Sequence, residues 1–145
     1  MALKKGGLNM KKRRLFAYLA VIAVLIAAFA LMGASCSVST ANVSNVVVST
    51  GVDENGMPTD NVSSVPPNTD VYVTAELHNA PDETTVTYVW YIDDQELDRV
   101  SFDNQGMTDV PIYSYLTVTA SGTYNVEIFV DDREEADASA IFTVQ

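Results

Sequence analysis

The chain carries two patterns. From Leu15 to Met32 (LFAYLAVIAVLIAAFALM) apolar residues run on without one charged side chain, whereas beyond residue 36 apolar and polar residues alternate in short bursts between turn signals. A period of two places successive side chains on opposite faces of a strand. Asp70 to His78 (DVYVTAELH) is the cleanest case, with Val71, Val73, Ala75 and Leu77 on the face expected to be core. Similar bursts predict strands over Asn42 to Thr50, Thr85 to Ile92, Glu96 to Phe102, Val110 to Thr119, Thr123 to Val130 and Ala138 to Val144. Asn79 to Asp82, Asp93-Asp94, Asp103 to Asp109 and Ser121-Gly122 read as turns or polar loops. Gly51 to Asp70, interrupted by Gly56, Pro58 and Pro66-Pro67, reads as one long loop. About seven short strands, with no convincing amphipathic helix after residue 36, predict an all-β antiparallel sandwich.

Two positions make the expected sandwich immunoglobulin-like. Trp90 stands mid-strand in the third strand, where that fold buries a tryptophan between its sheets, and Tyr124 follows Ser121-Gly122-Thr123, where a tyrosine corner would hold a crossing loop. With VYVTAELHN, VTYVWYIDDQEL, SGTYNVEIFVDD and the closing AIFTV, residues 71 to 145 resemble bacterial and archaeal cell-surface Ig-like modules of the cell-adhesion-related CARDB type. The resemblance implies extracellular display and interaction, and it brings no catalytic residues.

The apolar run follows Lys11-Lys12-Arg13-Arg14 and leads into Gly33-Ala34-Ser35-Cys36. This is the layout of a signal peptide or an anchor helix, and the basic flank predicts that everything beyond residue 36 is delivered outward. Three outcomes stay open. Gly33 to Cys36 resembles a bacterial lipobox, apart from Gly33 where an aliphatic residue is usual; that resemblance implies cleavage and lipidation at Cys36. Left uncut, Leu15 to Ser35 would make a helix of about 31 Å, enough for a hydrocarbon core of ~30 Å. Ordinary cleavage near Ser35 would release the protein. The expected organisation is a signal peptide or membrane anchor over 1–36, a tether over 37–41 and a sandwich domain over 42–145, displayed on the extracellular side of the cell membrane.

Charge sharpens the picture. Six of the eight basic residues precede residue 15, so from Cys36 onward only Arg99 and Arg133 face all 19 acids, a net charge of -17 without one lysine. Such a domain repels nucleic acid and anionic lipid, and no nucleic-acid partner is expected. With a single cysteine, stability must come from packing rather than disulfides.

Candidate chemistry is sparse. The only histidine, His78, ends a strand on its polar face, and Asp93-Asp94, Asp131-Asp132 and Glu134-Glu135 fall at strand ends where neighbours point apart. No catalytic centre, metal site or cofactor is expected; Asp53 to Gly56 and Asp103 to Gly106 look like fragments of calcium loops without the full ligand spacing. Alternation does suggest a contact face, since Val89, Tyr91, Phe129 and Ile141 would all point outward from neighbouring strands. The expected function is a non-enzymatic binding or structural module at the cell envelope, its N-terminal segment in the membrane and its partner a protein or glycan. The alternatives are an accessory subunit of a membrane complex and a carbohydrate-active hydrolase.

Overall fold

The computed structural model describes residues 39–145, which form one compact unit. The expectations for the apolar segment and for Cys36 lie outside the described residues. Among the described residues no helix is long and apolar enough to cross a membrane.

Eight strands follow in order: β1 (Asn42–Ser49), β2 (Ser64–Val65), β3 (Thr69–His78), β4 (Thr85–Ile92), β5 (Gln95–Asp103), β6 (Val110–Val118), β7 (Gly122–Val130) and β8 (Ala138–Val144). They make a three-stranded sheet, β1-β3-β6, and a five-stranded sheet, β2-β8-β7-β4-β5. All pairings are antiparallel except β2 with β8. The predicted strands all form, but the long loop conceals β2. Two residues are too short to show a period, and Ser64 and Val65 are held by register with Thr143 and Val144.

Alternation carries directly into the core. Val71, Val73, Ala75 and Leu77 from β3 meet Val86, Tyr88 and Trp90 from β4, Tyr124, Val126, Ile128 and Val130 from β7, and Phe142 and Val144 from β8. Trp90 lies edge-on to Phe142 with centroids 6.4 Å apart, and its Nε1 donates to Ser114 Oγ of β6 at 3.1 Å. That bond crosses between the sheets and sets β4 opposite β6. Tyr124 donates its hydroxyl to the carbonyl of Ala120 at 2.9 Å, the loop-holding role expected of it. The turn joining β4 to β5 uses Asp93 and Asp94 at φ 45° and 67°, the left-handed pair that matches the twist of a tight hairpin.

Candidate functional site

The predicted contact face is corrected by its neighbours. Val89, Tyr91, Phe129 and Ile141 do project from the outer side of β4, β7 and β8, but they do not form one apolar surface. Val89 is 0% exposed. It sits on a central strand between Arg99 and Glu127, its register partners on either side, whose long stems can lie over a small neighbour. Tyr91 and Phe129 are half-buried, and only Ile141, at 66% exposure, stands clear. Asn125 lies between Tyr91 and Ile141 in register, and the Glu127–Ser139 row separates Phe129 from Ile141. Phe129 instead borders a polar recess with Arg99, Asp131 and Arg133. Burial, then the adjacent Glu127 carboxylate, raises the pKa of the Tyr91 hydroxyl, and Arg99, Asp131 and Arg133 make the surroundings of Phe129 polar.

In each loop that resembles a calcium fragment, one oxygen of the leading aspartate is engaged by the loop's own backbone. Asp53 Oδ1 accepts from the amides of Asn55 and Met57, both at 2.9 Å, and Asp103 Oδ1 accepts from Gln105 at 2.9 Å. Among the described residues no group of three His, Cys, Asp or Glu side chains is placed to hold a metal ion.

One juxtaposition was not foreseen. Ser44 Oγ lies 3.0 Å from His78 Nε2, and His78 Nδ1 lies 3.2 Å from Asp109 Oδ1, the order of a nucleophile, a base and an orienting carboxylate. The three come from β1, the end of β3 and the approach to β6, so only strand register brings them together. Glu76 Oε2 also stands 3.4 Å from His78 Nε2, competing with Ser44, and the Asp109 side chain is 63% exposed. Water therefore screens a pair that a hydrolase would keep dry.

A second feature follows from the unequal sheets. At one side of the sandwich β1 packs against β8; at the other, β5 extends past the three-stranded sheet and β6 ends it. Between β5 and β6 runs a shallow groove of about 590 Å³, lined by Asp98, Val100 and Phe102 on one wall and Ser114, Leu116 and Thr117 on the other. Val100 is 39% exposed although it points to the inner side, opposite buried Tyr88. Of the seven large hydrophobic side chains exposed among the described residues, four (Leu97, Val100, Tyr113 and Tyr115) belong to these two edge strands. Tyr115 stacks on Tyr72 at 5.2 Å and Tyr113 tilts against it at 6.1 Å, forming a tyrosine ridge beside the groove. VPIYSYLTV carries no charge, but β1, β4 and β8 carry none either, so the sequence does not single this strand out.

The site and fold thus describe an all-β sandwich with an open flank. No protein-family model matches the chain, and no curated protein matches it in sequence. Among solved structures the chain is similar to the CARDB domain of a Pyrococcus furiosus protein in complex with di-metal ions, with TM-score 0.43, 13% identity and coverage of 73% of this chain and 86% of that one. It is also similar to superoxide reductase (neelaredoxin) from Ignicoccus hospitalis, with TM-score 0.45, 13% identity and coverage of 78% and 89%. A third similarity is to the Pseudomonas fluorescens alkylpurine DNA glycosylase AlkC bound to DNA, with TM-score 0.47 and 15% identity over 74% of this chain but 31% of that one. The architecture rests on the strand pairing itself.

Proposed function

We propose that the chain is an exported, membrane-tethered, non-enzymatic binding module of immunoglobulin-like type at the cell envelope, working through the open flank between β5 and β6. The gathering of exposed apolar side chains on those two strands carries the reading, because scattered apolar residues need no explanation whereas clustered ones on an acidic surface do. Strand order, Trp90 and the Tyr124 corner support the immunoglobulin-like class. The basic flank before the apolar segment supports outward delivery. A photo-crosslinking residue at Val100 of the full chain, in intact cells, should give an adduct that the same residue at Ile141 does not. External protease should remove the domain. A protected domain, or equal labelling from both positions, defeats the reading. Mass analysis of the native protein separates the tethers: loss of residues 1–35 with acyl mass on Cys36 marks a lipoprotein, and an unmodified full-length chain marks an uncut anchor.

A second reading, ester or amide hydrolysis, is favoured by the Ser44–His78–Asp109 alignment alone. Activated-ester turnover abolished by both Ser44→Ala and His78→Ala would establish it, and turnover indifferent to both would remove it.

A further inference from the structure

We propose that the free edge of β6 is a strand-docking edge whose occupant is an extended peptide segment with apolar side chains at alternate positions and lysine or arginine between them. The inference rests on the binding-module reading and gives the partner chemistry of the same groove.

Four strands end the two sheets, and three of them are guarded against adding another strand. β1 is broken by a register shift between Ser44 and Val47, with Asn45 at φ 51°. β2 has two residues. β5 carries Glu96, Asp98, Arg99 and Asp103, and its register shifts opposite Trp90 and Tyr91. β6 differs: nine residues in unbroken register with β3, no charged side chain, and Pro111 near one end as its only interruption. Its outward backbone groups are a template for a further strand.

The space beside that edge has the shape of one strand. Because the Trp90–Ser114 bond sets β4 opposite β6, β5 overhangs the position that a fourth strand of the small sheet would fill. A peptide added there would turn every second side chain toward Val100, Phe102 and Leu116, covering inner-side apolar surface that the fold leaves open. Its other side chains would continue the Tyr113 and Tyr115 ridge.

Topology and charge choose the occupant. A second copy offering its own β6 would bring a second overhanging β5 toward the same space, and it would set one domain of charge -17 against another. A single extended segment meets neither obstacle. The charged side chain lining the groove, Asp98, shares the inner side of β5 with Val100 and Phe102 and meets the inward set; the outward lysine or arginine positions are matched by the domain's net charge of -17 and its lack of lysine beyond Cys36.

The test uses the full-length chain in detergent micelles and a labelled peptide alternating valine with lysine. Saturable binding is expected, with exchange of the outward-pointing amides among residues 112–117 slowed by about tenfold or more. Methylating alternate peptide nitrogens, exchanging lysine for glutamate, or introducing Val100→Asp should each weaken binding by about tenfold or more. Tyr115→Lys, at a side chain 58% exposed, is a second variant that should repel the peptide without disturbing the core. Trp90 fluorescence reports that each variant is folded. No binding at millimolar peptide, binding without protection in β6, or indifference to nitrogen methylation overturns the proposal. So does self-association that protects β6 in the absence of peptide, since the occupant would then be a second copy. A Val100-specific adduct in cells combined with failure of the peptide would sink this inference while leaving the binding-module reading standing.

Discussion

Ser114→Ala tests the contact that joins the two sheets. Trp90 is fully buried, and its indole N–H has Ser114 Oγ as partner at 3.1 Å. Removing the hydroxyl costs more than one average hydrogen bond, because it strands a donor in an apolar core; about 1 to 3 kcal/mol is expected, from a total stability of roughly 5 to 15 kcal/mol. With a urea m-value of about 1.5 kcal/mol/M, a loss of ~2 kcal/mol moves the unfolding midpoint down by roughly 1.3 M. The assay is direct because Trp90 is the only tryptophan, so its emission reports on the environment being perturbed. Trp90→Phe, followed by circular dichroism, should cost several kcal/mol through lost volume as well. In the double variant neither polar partner is left stranded, so its cost should fall short of the sum of the singles by about 1 kcal/mol or more. A Ser114→Ala protein with an unchanged midpoint would refute the reasoning. The indole N–H would then be reached by water from the groove, and the bond would not hold the sheets together.

Three further outcomes follow from burial and hydrogen bonding. The Tyr88 hydroxyl is buried without a partner, and burial raises its pKa, so Tyr88→Phe should stabilise the domain by about 1 kcal/mol in urea melts. Val89→Ser should cost about 1 to 3 kcal/mol in the same melts whereas Ile141→Ser stays within about 0.5 kcal/mol, although alternation alone places both outward. Asp60 accepts hydrogen bonds from the Ser49 hydroxyl and from the amide and hydroxyl of Thr50, which hold its carboxyl below its ordinary value of 3.8. A lowered folded-state pKa means that the stabilisation is complete above the ordinary carboxylate range and fades as pH falls through and below it. Asp60→Asn should flatten that acid limb in a stability profile taken from pH 6 to pH 2.

Strands and inner faces were legible because one buried face fixes register, and a one-residue slip would turn every apolar side chain of β3 or β7 to water. Exposure of the outer face was not legible. Parity says which way Val89 points, but whether water reaches it depends on Arg99 and Glu127 across two strand pairings. The Ser44–His78–Asp109 alignment was hidden because its members are brought together by the β1–β3–β6 order rather than by spacing along the chain. The groove was hidden for another reason: it arises from a difference in strand number between sheets, which no local pattern encodes.

Arg133 gives the domain a mechanical property. Its guanidinium pairs with Asp137 and donates from Nη2 to the carbonyls of Ser39 at 3.0 Å and Ala41 at 2.8 Å, clasping the segment that leads into β1 to the loop between β7 and β8. Without that clasp, tension applied through the N-terminal segment would fall on Asn42, the first rung of the β1–β3 ladder, and open its pairs one at a time. With it, the load first has to part the two charge-assisted bonds to Ser39 and Ala41 together, and it is shared with the loop that Arg133 and Asp137 brace between strands of the larger sheet. Arg133→Ala should therefore lower the force at which a molecule pulled through its N-terminal segment yields far more than it lowers the midpoint of a chemical melt, making this arginine a strain relief for the first strand pair.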